Sequence, residues 1–368
     1  MNINKLFFVI LIVFISCEKK ETTTSNEDSK YIKYAKKFDI KENETNYLLT
    51  IYSPFPDSDL KFEYIINKAS FANSTGINTP INKIVVTSTT NISMVELLGK
   101  ENTLVGFPHT DFISSTKTRK RVDTGEIQEI GVDENLNTEV VLSIKPEAII
   151  AYSMNPGNKS LATLERLGIP VLYNGAWLEK SPLGRAEWIK VFGILFDQKE
   201  KADQIFNQIE ENYNTAKAIA KTEIKKPTAV SGALFNSSWF LPAGDSYVAQ
   251  LYRDANIDYL WNTSEGTGSL SLNYENVLLK AKEAQLWLDP GYFSNKKDLI
   301  QGSELHDNFD AFKNDNIYTF TNKKGPTGGI IYYEQGPTRP DLVLKDLIKI
   351  SHPELLTDYQ LTFYEKMK

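Results

Sequence analysis

Cysteine and histidine are scarce in this chain, and their scarcity excludes several kinds of site. Cys17 is the only cysteine in 368 residues, so the chain cannot form an internal disulfide. The three histidines, His109, His306 and His352, lie far apart and in no paired spacing. They therefore do not indicate a zinc or manganese site of neighbouring His and carboxylate ligands, and each is expected to be a surface or hydrogen-bonded side chain.

Signatures of catalysis and of nucleic-acid binding are also missing. The sequence has no G-x-S-x-G nucleophile motif and no G-x-x-x-x-G-K phosphate loop. The formal net charge is -6 at pH 7, and the basic run Arg119-Lys120-Arg121 is short and isolated. Neither a recognisable catalytic constellation nor a nucleic-acid footprint is therefore predicted.

The start of the chain has the pattern of an export signal. Residues 6–15 are an apolar run that follows Lys5 and is too short to span a bilayer as a folded anchor. Cys17 sits where a bacterial lipobox places its cysteine, although Phe14 stands where Leu is usual. We expect residues 1–16 to be a lipoprotein signal peptide, residue 17 to carry lipid on a bacterial membrane, and the polar residues 17–30 to be a flexible tether. An ordinary signal peptide with a chance cysteine is the alternative.

Residues 198–222 have the pattern of one long amphipathic helix. Apolar residues recur at steps of three and four from Ala202 to Ala220, and charged residues occupy the other side. Asp197 and Glu200 have the spacing of a capping box, which predicts where the helix begins. At 1.5 Å per residue this helix would span roughly 38 Å, enough to bridge two lobes.

A segment before this helix is repeated after it. Residues 136–151, LNTEVVLSIKPEAIIA, and residues 272–287, LNYENVLLKAKEAQLW, agree at seven positions without a gap. Each copy has the pattern of a short helix followed by an apolar strand. Unless a generic pattern matches by accident, the repeat predicts two α/β lobes of similar build joined by the long helix.

The predicted fold is therefore α/β, with two lobes that carry small parallel sheets and one long backbone helix between them. Short apolar runs alternate with helical patterns in both lobes, as a parallel sheet requires. Alternating segments before the first lobe predict an additional small β structure. The predicted divisions are an N-terminal β extension at 31–79, the first lobe at 80–181, connecting helices at 182–226 and the second lobe at 227–368.

Aromatic residues mark the loops where a ligand would bind. Trp177 follows a first-lobe strand, Trp239 follows the first strand of the second lobe, and Tyr332 and Tyr333 lie in a Gly-rich loop that ends at Arg339. Ligands of parallel α/β lobes bind at the carboxyl ends of the strands, so these side chains are expected to line a cleft. Flat aromatics with one fixed cation suit a large, partly apolar anion. Core packing is the alternative for each aromatic residue.

Four segments, together with the long helix, resemble one known family. The resemblance is to ABC-transporter solute-binding proteins of the helical-backbone class, in the subgroup for iron complexes (siderophores or heme) and for cobalamin. It covers about residues 80–367 and implies a shallow cleft between two lobes and delivery of the ligand to a membrane permease with its ATPase. The segments are SIKPEAIIA (143–151), SPLGRAEWIKVFG (181–193), AFKNDNIYTF (311–320) and RPDLVLKDLIKISHPELL (339–356).

The resemblance also implies one carboxylate on each lobe that docks on permease arginines. Glu96 falls at the matching place in the first lobe, and Asp254 is the candidate in the second, where Arg253 departs from the pattern. We therefore expect a monomeric, lipid-anchored protein that captures an iron chelate or heme, with cobalamin as the alternative ligand and no cofactor besides the lipid at Cys17. An exported hydrolase with cleft carboxylates and a surface adhesion module are the other classes left open.

Overall fold

The computed structural model describes residues 31–72 and 75–368. The predicted signal peptide, Cys17 and the tether lie outside these residues. Among the residues described, no helix combines the length and the apolar character needed to cross a membrane.

The chain first forms a four-stranded sheet ahead of the first lobe. In the first half of its second strand, buried residues alternate with partly exposed ones, which matches the period of two expected for a strand with one face in the core. The first three strands pair antiparallel in chain order, and the short fourth strand pairs parallel with the third. These strands are β1 (Phe38–Glu42), β2 (Asn46–Tyr52), β3 (Lys61–Asn67) and β4 (Ile77–Asn78).

Two buried carboxylates fix the segment that leads into this sheet. Glu187 accepts hydrogen bonds from the backbone N–H groups of residues 33, 34 and 35, and Glu179 accepts from those of residues 36 and 37. Glu187 also pairs with Lys190 at 2.9 Å, and both side chains are buried. Because backbone N–H groups stabilise a carboxylate away from water, these contacts hold the N-terminal sheet against the connecting helices.

The first lobe is built on a five-stranded, all-parallel sheet of order β11-β10-β5-β6-β7. Its central strand, IVV, is fully buried, as expected for a parallel sheet that is covered on both faces. Helices alternate with the strands, as the sequence predicts. The elements are β5 (Ile84–Val86), α1 (Thr89–Leu97), β6 (Leu104–Phe107), α2 (Thr116–Asp123), β7 (Gln128–Glu129), β8 (Gly131–Val132), β9 (Asn135–Leu136), α3 (Thr138–Ile144), β10 (Ala148–Ala151), α4 (Lys159–Arg166) and β11 (Val171–Tyr173).

Three helices connect the lobes: α5 (Pro182–Glu187), α6 (Ile189–Leu195) and α7 (Lys199–Ala220). The 22 residues of α7 correspond to roughly 33 Å, and its apolar stripe is buried as predicted. The predicted capping box is wrong. Asp197 has a positive φ of 53°, and Gln198 caps the helix without a side-chain hydrogen bond. The reason is the tight turn after α6, in which the N–H of Gln198 donates to the Gly193 carbonyl.

The second lobe has its own five-stranded sheet, of order β15-β12-β17-β18-β19, in which only the pairing of the last strand is antiparallel. The strands β13, β14 and β16 form a separate three-stranded antiparallel sheet. Along the chain they are interspersed with the strands of the five-stranded sheet. The elements are β12 (Thr228–Ser231), β13 (Ala233–Phe235), β14 (Ser238–Pro242), α8 (Tyr247–Asp254), β15 (Asp258–Tyr259), β16 (Ser269–Leu272), α9 (Tyr274–Ala281), β17 (Leu286–Leu288), α10 (Lys296–Gly302), α11 (Asp310–Lys313), β18 (Ile317–Thr319), α12 (Ile331–Gln335), α13 (Pro340–Ser351) and β19 (Glu365–Lys366).

The first strand of the second lobe, which the sequence places before Trp239, is followed at once by two further strands, because Gly232 turns the chain. Gly232 has a φ of 74°, and a Cβ there would lie 1.7 Å from the Phe240 carbonyl oxygen, so no side chain fits. The chain turns at this point from β12 into the antiparallel hairpin of β13 and β14.

The internal repeat corresponds to the same local structure in both lobes. Asn137 caps α3 by accepting from the N–H of Val140, and Asn273 caps α9 by accepting from the N–H of Asn276. Each capped helix is followed by an interior strand of its sheet, β10 or β17. Residues Ile32–Lys368 pack as one compact unit, and the division into separate domains stays a prediction.

Candidate functional site

A cleft lies between the carboxyl ends of the two parallel sheets. Thr87 to Thr89 follow β5, Phe107 ends β6 and is followed by Pro108 and His109, and Tyr152 follows β10. The second lobe contributes Tyr292, which comes after β17, the residues Gly328 to Ile330 before α12, and Tyr333 within α12. These groups enclose a cavity of about 490 Å³. The place is the one expected for ligands of open α/β sheets.

The cavity wall is aromatic and nearly uncharged. Phe107, Phe112, Tyr152, Tyr292 and Tyr333 supply rings from both lobes. Of the described residues that line it, none is a lysine or arginine. Its polar groups are the phenols of the three tyrosines, the imidazole of His109, the carboxyl group of Asp133 and the hydroxyls of residues 87–89.

His109 and Asp133 are the ionisable pair of the cavity. His109 has a φ of 50°, and its backbone N–H donates to the Glu129 carboxylate at 2.9 Å, which fixes the turn after β6. Its ring lies 5.3 Å from that of Phe112. Burial raises the pKa of Asp133, and the nearby His109 opposes that shift. The first-lobe wall thus offers one imidazole and one carboxyl group to a ligand.

Hydrogen bonds join the two lobes beside the cavity. Glu334, which is 1% exposed, accepts from the N–H groups of Ser114 at 2.8 Å and of Ser115 at 3.1 Å. The Ser93 and Thr338 hydroxyls lie 2.6 Å apart, and Thr90 donates to the Tyr333 carbonyl. A polar seam therefore joins α1 and the residues before α2 in the first lobe to α12 and the residues after it in the second lobe.

Two buried carboxyl groups near this edge have strongly raised pKa values. Burial raises the pKa of Glu334 to about 7, although the two serine N–H groups favour its ionised form and the charge of Glu96 adds to the rise. Burial also raises the pKa of Asp289 to about 7, against the donated hydroxyls of Tyr364 and Tyr252. Both groups titrate near neutral pH.

A smaller side pocket of about 40 Å³ opens next to the main cavity. The two share Ser88 and Tyr152 as lining residues. Deeper in the side pocket lie Asn91 of α1, Trp177 after β11 and Arg185 of α5. The side pocket therefore extends the cleft toward the connecting helices.

Of the ligand-binding residues predicted from sequence, the structure brings Trp177 and Tyr333 to the cleft. Tyr333 is 43% exposed and lines the main cavity, and burial raises the pKa of its phenol. Trp177 lines the side pocket, with its ring 5.4 Å from that of Tyr152 in an edge-on arrangement.

The structure places the other three predicted ligand-binding residues elsewhere. Trp239 is fully buried in β14, stacks on Trp287 at 5.4 Å and donates its indole N–H to the Ser231 carbonyl. Tyr332 is 4% exposed and stacks on Phe320 at 4.0 Å. Arg339 makes a bidentate pair with the buried Asp341, at 2.9 and 2.8 Å. Inward packing and a carboxylate partner thus remove all three from the cleft.

The two predicted docking carboxylates are engaged within the protein. Asp254 is 7% exposed and pairs with Lys217 at 2.9 Å and with the Tyr213 hydroxyl at 2.8 Å. This arrangement contradicts an exposed docking role for Asp254. Glu96 is half-buried and accepts from the hydroxyls of Ser115, at 2.5 Å, and of Thr118.

Sequence reasoning missed several cleft residues, among them His109, Tyr152, Asp133 and Arg185, and a signal existed for the first two. His109 and Tyr152 each follow a predicted first-lobe strand, so the rule applied to Trp177 would also have found them. Asp133 lies in the short turn between β8 and β9, and Arg185 lies inside a helix. Nothing in the sequence alone distinguishes these two from other charged residues.

Within residues 31–72 and 75–368, one group of acid and His side chains is close enough to share a metal ion. It consists of Glu223, His352 and Glu354, whose ligand atoms lie within 4.8 Å of one another. None of the three lines either cavity.

The chain is similar to a protein family, to curated proteins and to solved structures. The family model for periplasmic binding proteins matches residues 84–323. An uncharacterized lipoprotein from Methanocaldococcus jannaschii is 28% identical over 300 residues, which are 79% of this chain and 70% of that protein. A periplasmic heme-binding protein from Pseudomonas aeruginosa has a TM-score of 0.58 at 15% identity, covering 78% of this chain and 98% of that one. A possible iron-binding periplasmic solute-binding protein from Staphylococcus epidermidis has a TM-score of 0.57 at 18% identity, covering 74% and 99%.

Proposed function

Because this chain belongs to the periplasmic binding protein family, we propose that it is the substrate-binding component of an ABC importer. Its ligand is an iron complex, a ferric siderophore or heme, which it captures in the cleft and delivers to a membrane permease and the associated ATPase. Iron and heme appear in the names of proteins that share this fold, and they guide the choice of ligand.

The observation that carries the proposal is the aromatic cavity between the carboxyl ends of the two sheets. Its volume of about 490 Å³ lies within the usual 300–1,000 Å³ of small-molecule sites. Rings from both lobes can cover a broad, partly apolar body by stacking and apolar contact. The phenols of Tyr152, Tyr292 and Tyr333 and the imidazole of His109 add oxygen and nitrogen groups that suit a metal chelate.

Titration of intrinsic tryptophan fluorescence with hemin, a ferric siderophore and cyanocobalamin tests the ligand. We expect an iron complex to quench the fluorescence at micromolar concentration or below. Tyr333→Ala should weaken binding of the iron complex about tenfold, because it removes one aromatic contact and the apolar surface that the ring buries against the ligand. Tyr52→Ala is the matched control, because Tyr52 is 37% exposed and lies in the N-terminal sheet. Tight binding of cyanocobalamin with failure of every iron complex would change the ligand and leave the importer role standing.

We also propose that lipid on Cys17 anchors the protein to the membrane. The lipobox-like sequence and the lipoprotein relative support this. Two acyl-type chains give stable attachment where one does not, so Cys17→Ala should move the protein into the soluble fraction. Unchanged membrane association would contradict the anchor.

Docking on the permease is proposed for Glu96 of the first lobe. Glu96→Gln removes the charge but keeps an acceptor for Ser115, so uptake of the iron complex should fall while its affinity for the isolated protein stays the same. If Glu96→Gln instead lowers the affinity for the iron complex, Glu96 stabilises the contact between α1 and the start of α2 and is not a docking residue.

A protein with this role binds its ligand as a monomer and does not transform it. Incubation with a panel of chromogenic glycosides and esters should therefore give no turnover. Turnover that disappears in Asp133→Asn would favour the hydrolase alternative.

A further inference from the structure

The side pocket holds a half-buried arginine whose hydrogen bonds go to backbone carbonyls. Arg185 donates from Nε to the Glu179 carbonyl at 3.2 Å and from Nη2 to the Trp177 carbonyl at 2.6 Å. Its guanidinium stacks on the Tyr247 ring at 3.5 Å. No ion pair within 4.0 Å involves Arg185 in the part of the chain that the structure describes. Burial lowers the pKa of Arg185 and the charge of the Glu179 carboxylate opposes that shift, but this carboxylate accepts its hydrogen bonds from other groups, among them the backbone N–H groups of Lys36 and Lys37.

Two further donors in the same pocket have no partner. The indole Nε1 of Trp177 and the amide Nδ2 of Asn91 are buried without a hydrogen bond among the described residues. Asn91 is only 1% exposed. A buried donor left without an acceptor is destabilising, so both are expected to find one in the working protein.

The hydrogen-bond network fixes the orientation of the Asn91 amide. Asn174 accepts the N–H of Ala176 on its Oδ1 at 2.7 Å, so its Nδ2 must be the atom that faces Asn91. That Nδ2 donates to Asn91 Oδ1 at 2.7 Å. The Asn91 amide therefore presents its NH₂ side, and not its oxygen, as the unpartnered group.

We propose that the side pocket is a subsite for a carboxylate, or an equally small oxyanion group, that projects from the ligand in the main cleft. This rests on the proposed function, because it assigns the group to the cleft's own ligand. Arg185, Trp177 and Asn91 offer a cation and two N–H donors, and a carboxylate is an acceptor only. The pocket's 40 Å³ admit a group of a few atoms, while Ser88 and Tyr152 connect it to the cavity that holds the body of the ligand.

Acetate is the probe for the subsite alone. In chloride-free buffer, acetate should shift the indole ¹⁵N–¹H resonance of Trp177, assigned with Trp177→Phe, and acetamide should bind at least tenfold more weakly. Asn91→Asp should abolish the acetate shift, because it retains the acceptor for Asn174 but replaces the free donor with a negative charge. Asn102→Asp is the matched control, since it adds the same charge at an exposed residue outside both pockets. Equal shifts with acetate and acetamide, or none with either, would overturn the subsite.

Hemin and its dimethyl ester separate the subsite from the proposed function. The ester keeps the iron porphyrin but lacks free carboxylates, so the wild type should bind it at least tenfold more weakly than hemin. The Asn91→Asp variant should bind the ester and hemin with equal affinity. Arg185→Lys should retain part of the preference and Arg185→Met should lose it. Equal binding of both porphyrins by the wild type would overturn the subsite and leave an iron-binding cleft. Binding of neither, with an intact acetate response, would overturn the proposed heme ligand and support the subsite.

Discussion

The two lobes bring aromatic side chains to the same edge of their sheets, but they use them differently. In the first lobe, Tyr152 and Trp177 follow strands directly and face the cleft or its side pocket. In the second lobe, Trp239 and Trp287 stack on each other around a buried His306. The difference follows from the additional hairpin after Gly232, which turns Trp239 inward. Position after a strand therefore predicts a cleft residue only where no further strand follows at once.

Two arginines show the same contrast in charge. Arg339 of the second lobe is neutralised by the buried Asp341, and its partner raises its pKa. Arg185 of α5 donates to two backbone carbonyls and stacks on a tyrosine ring, it has no ion-pair partner among the described residues, and burial lowers its pKa. A guanidinium without a counter-ion is available to a ligand, whereas a paired one is part of the core.

Truncating the two tryptophans should separate stability from binding most strongly. Trp239→Ala should lower the free energy of unfolding by about 3–5 kcal/mol, because it empties a fully buried site. Trp177→Ala, at a partly exposed site, should cost much less stability but weaken ligand binding. Urea unfolding and fluorescence titration measure the two effects. Equal destabilisation by both variants would remove the contrast between the lobes.

The arginine contrast is tested by Arg339→Ala. The substitution leaves Asp341 charged and buried without its partner. Breaking a fully buried ion pair costs roughly 3–5 kcal/mol. Because Arg339 is partly exposed, we expect the free energy of unfolding to fall by less, about 2–3 kcal/mol. Ligand affinity of the folded variant should not change. A tenfold loss of affinity without a change in the urea midpoint would instead return Arg339 to the binding site.

The lobe seam should make stability depend on pH. The pKa of Glu334 rises from its ordinary 4.5 to about 7 in the folded protein, so between these pH values the folded state holds a proton that the unfolded state has released. Stability should therefore fall as pH rises through this window, by up to about 3 kcal/mol. Glu334→Gln should flatten this part of the profile.

Urea unfolding at pH 5 and at pH 7.5 measures the slope. Asp289→Asn is the matched variant, because Asp289 also has a pKa raised to about 7 but lies within the second lobe. If the slopes of wild type and Glu334→Gln coincide, Glu334 does not titrate in this range.

The smallest effect is expected for the distance between the lobes. The packed helix α7 and the seam of Glu334 with Ser114 and Ser115 oppose hinge bending. X-ray scattering profiles with and without the iron complex should nearly superpose. A clear fall in the radius of gyration on binding would show that the seam opens in the free protein.

Most of the fold followed from local patterns. The apolar stripe of α7, the buried runs of both parallel sheets and the repeated Asn-capped helices are each encoded within a few residues. The failures came from tertiary context. Asp197 lost its capping role because α6 ends immediately before it, and Gly232 divided a strand because the Phe240 carbonyl lies against it.

The candidate site followed only in part, because availability depends on partners that are distant in the chain. Trp177 and Tyr333 reach the cleft. The sequence could not show, however, that Arg339 forms an ion pair with Asp341, or that Asp254 pairs with Lys217 and accepts a hydrogen bond from Tyr213. Arg185 is the converse case. It is a candidate ligand group because no carboxylate of residues 31–72 and 75–368 forms an ion pair with it, and no spacing along the chain encodes that.

Native mass spectrometry of the protein as purified, combined with an absorbance scan, tests the central claim most directly. A cleft that captures an iron complex should retain it as an added mass with visible absorbance, in wild type and in Tyr52→Ala, and should retain less in Tyr333→Ala. The claim would be contradicted if all three showed only the mass of the chain and none gained mass when hemin or a ferric siderophore was added.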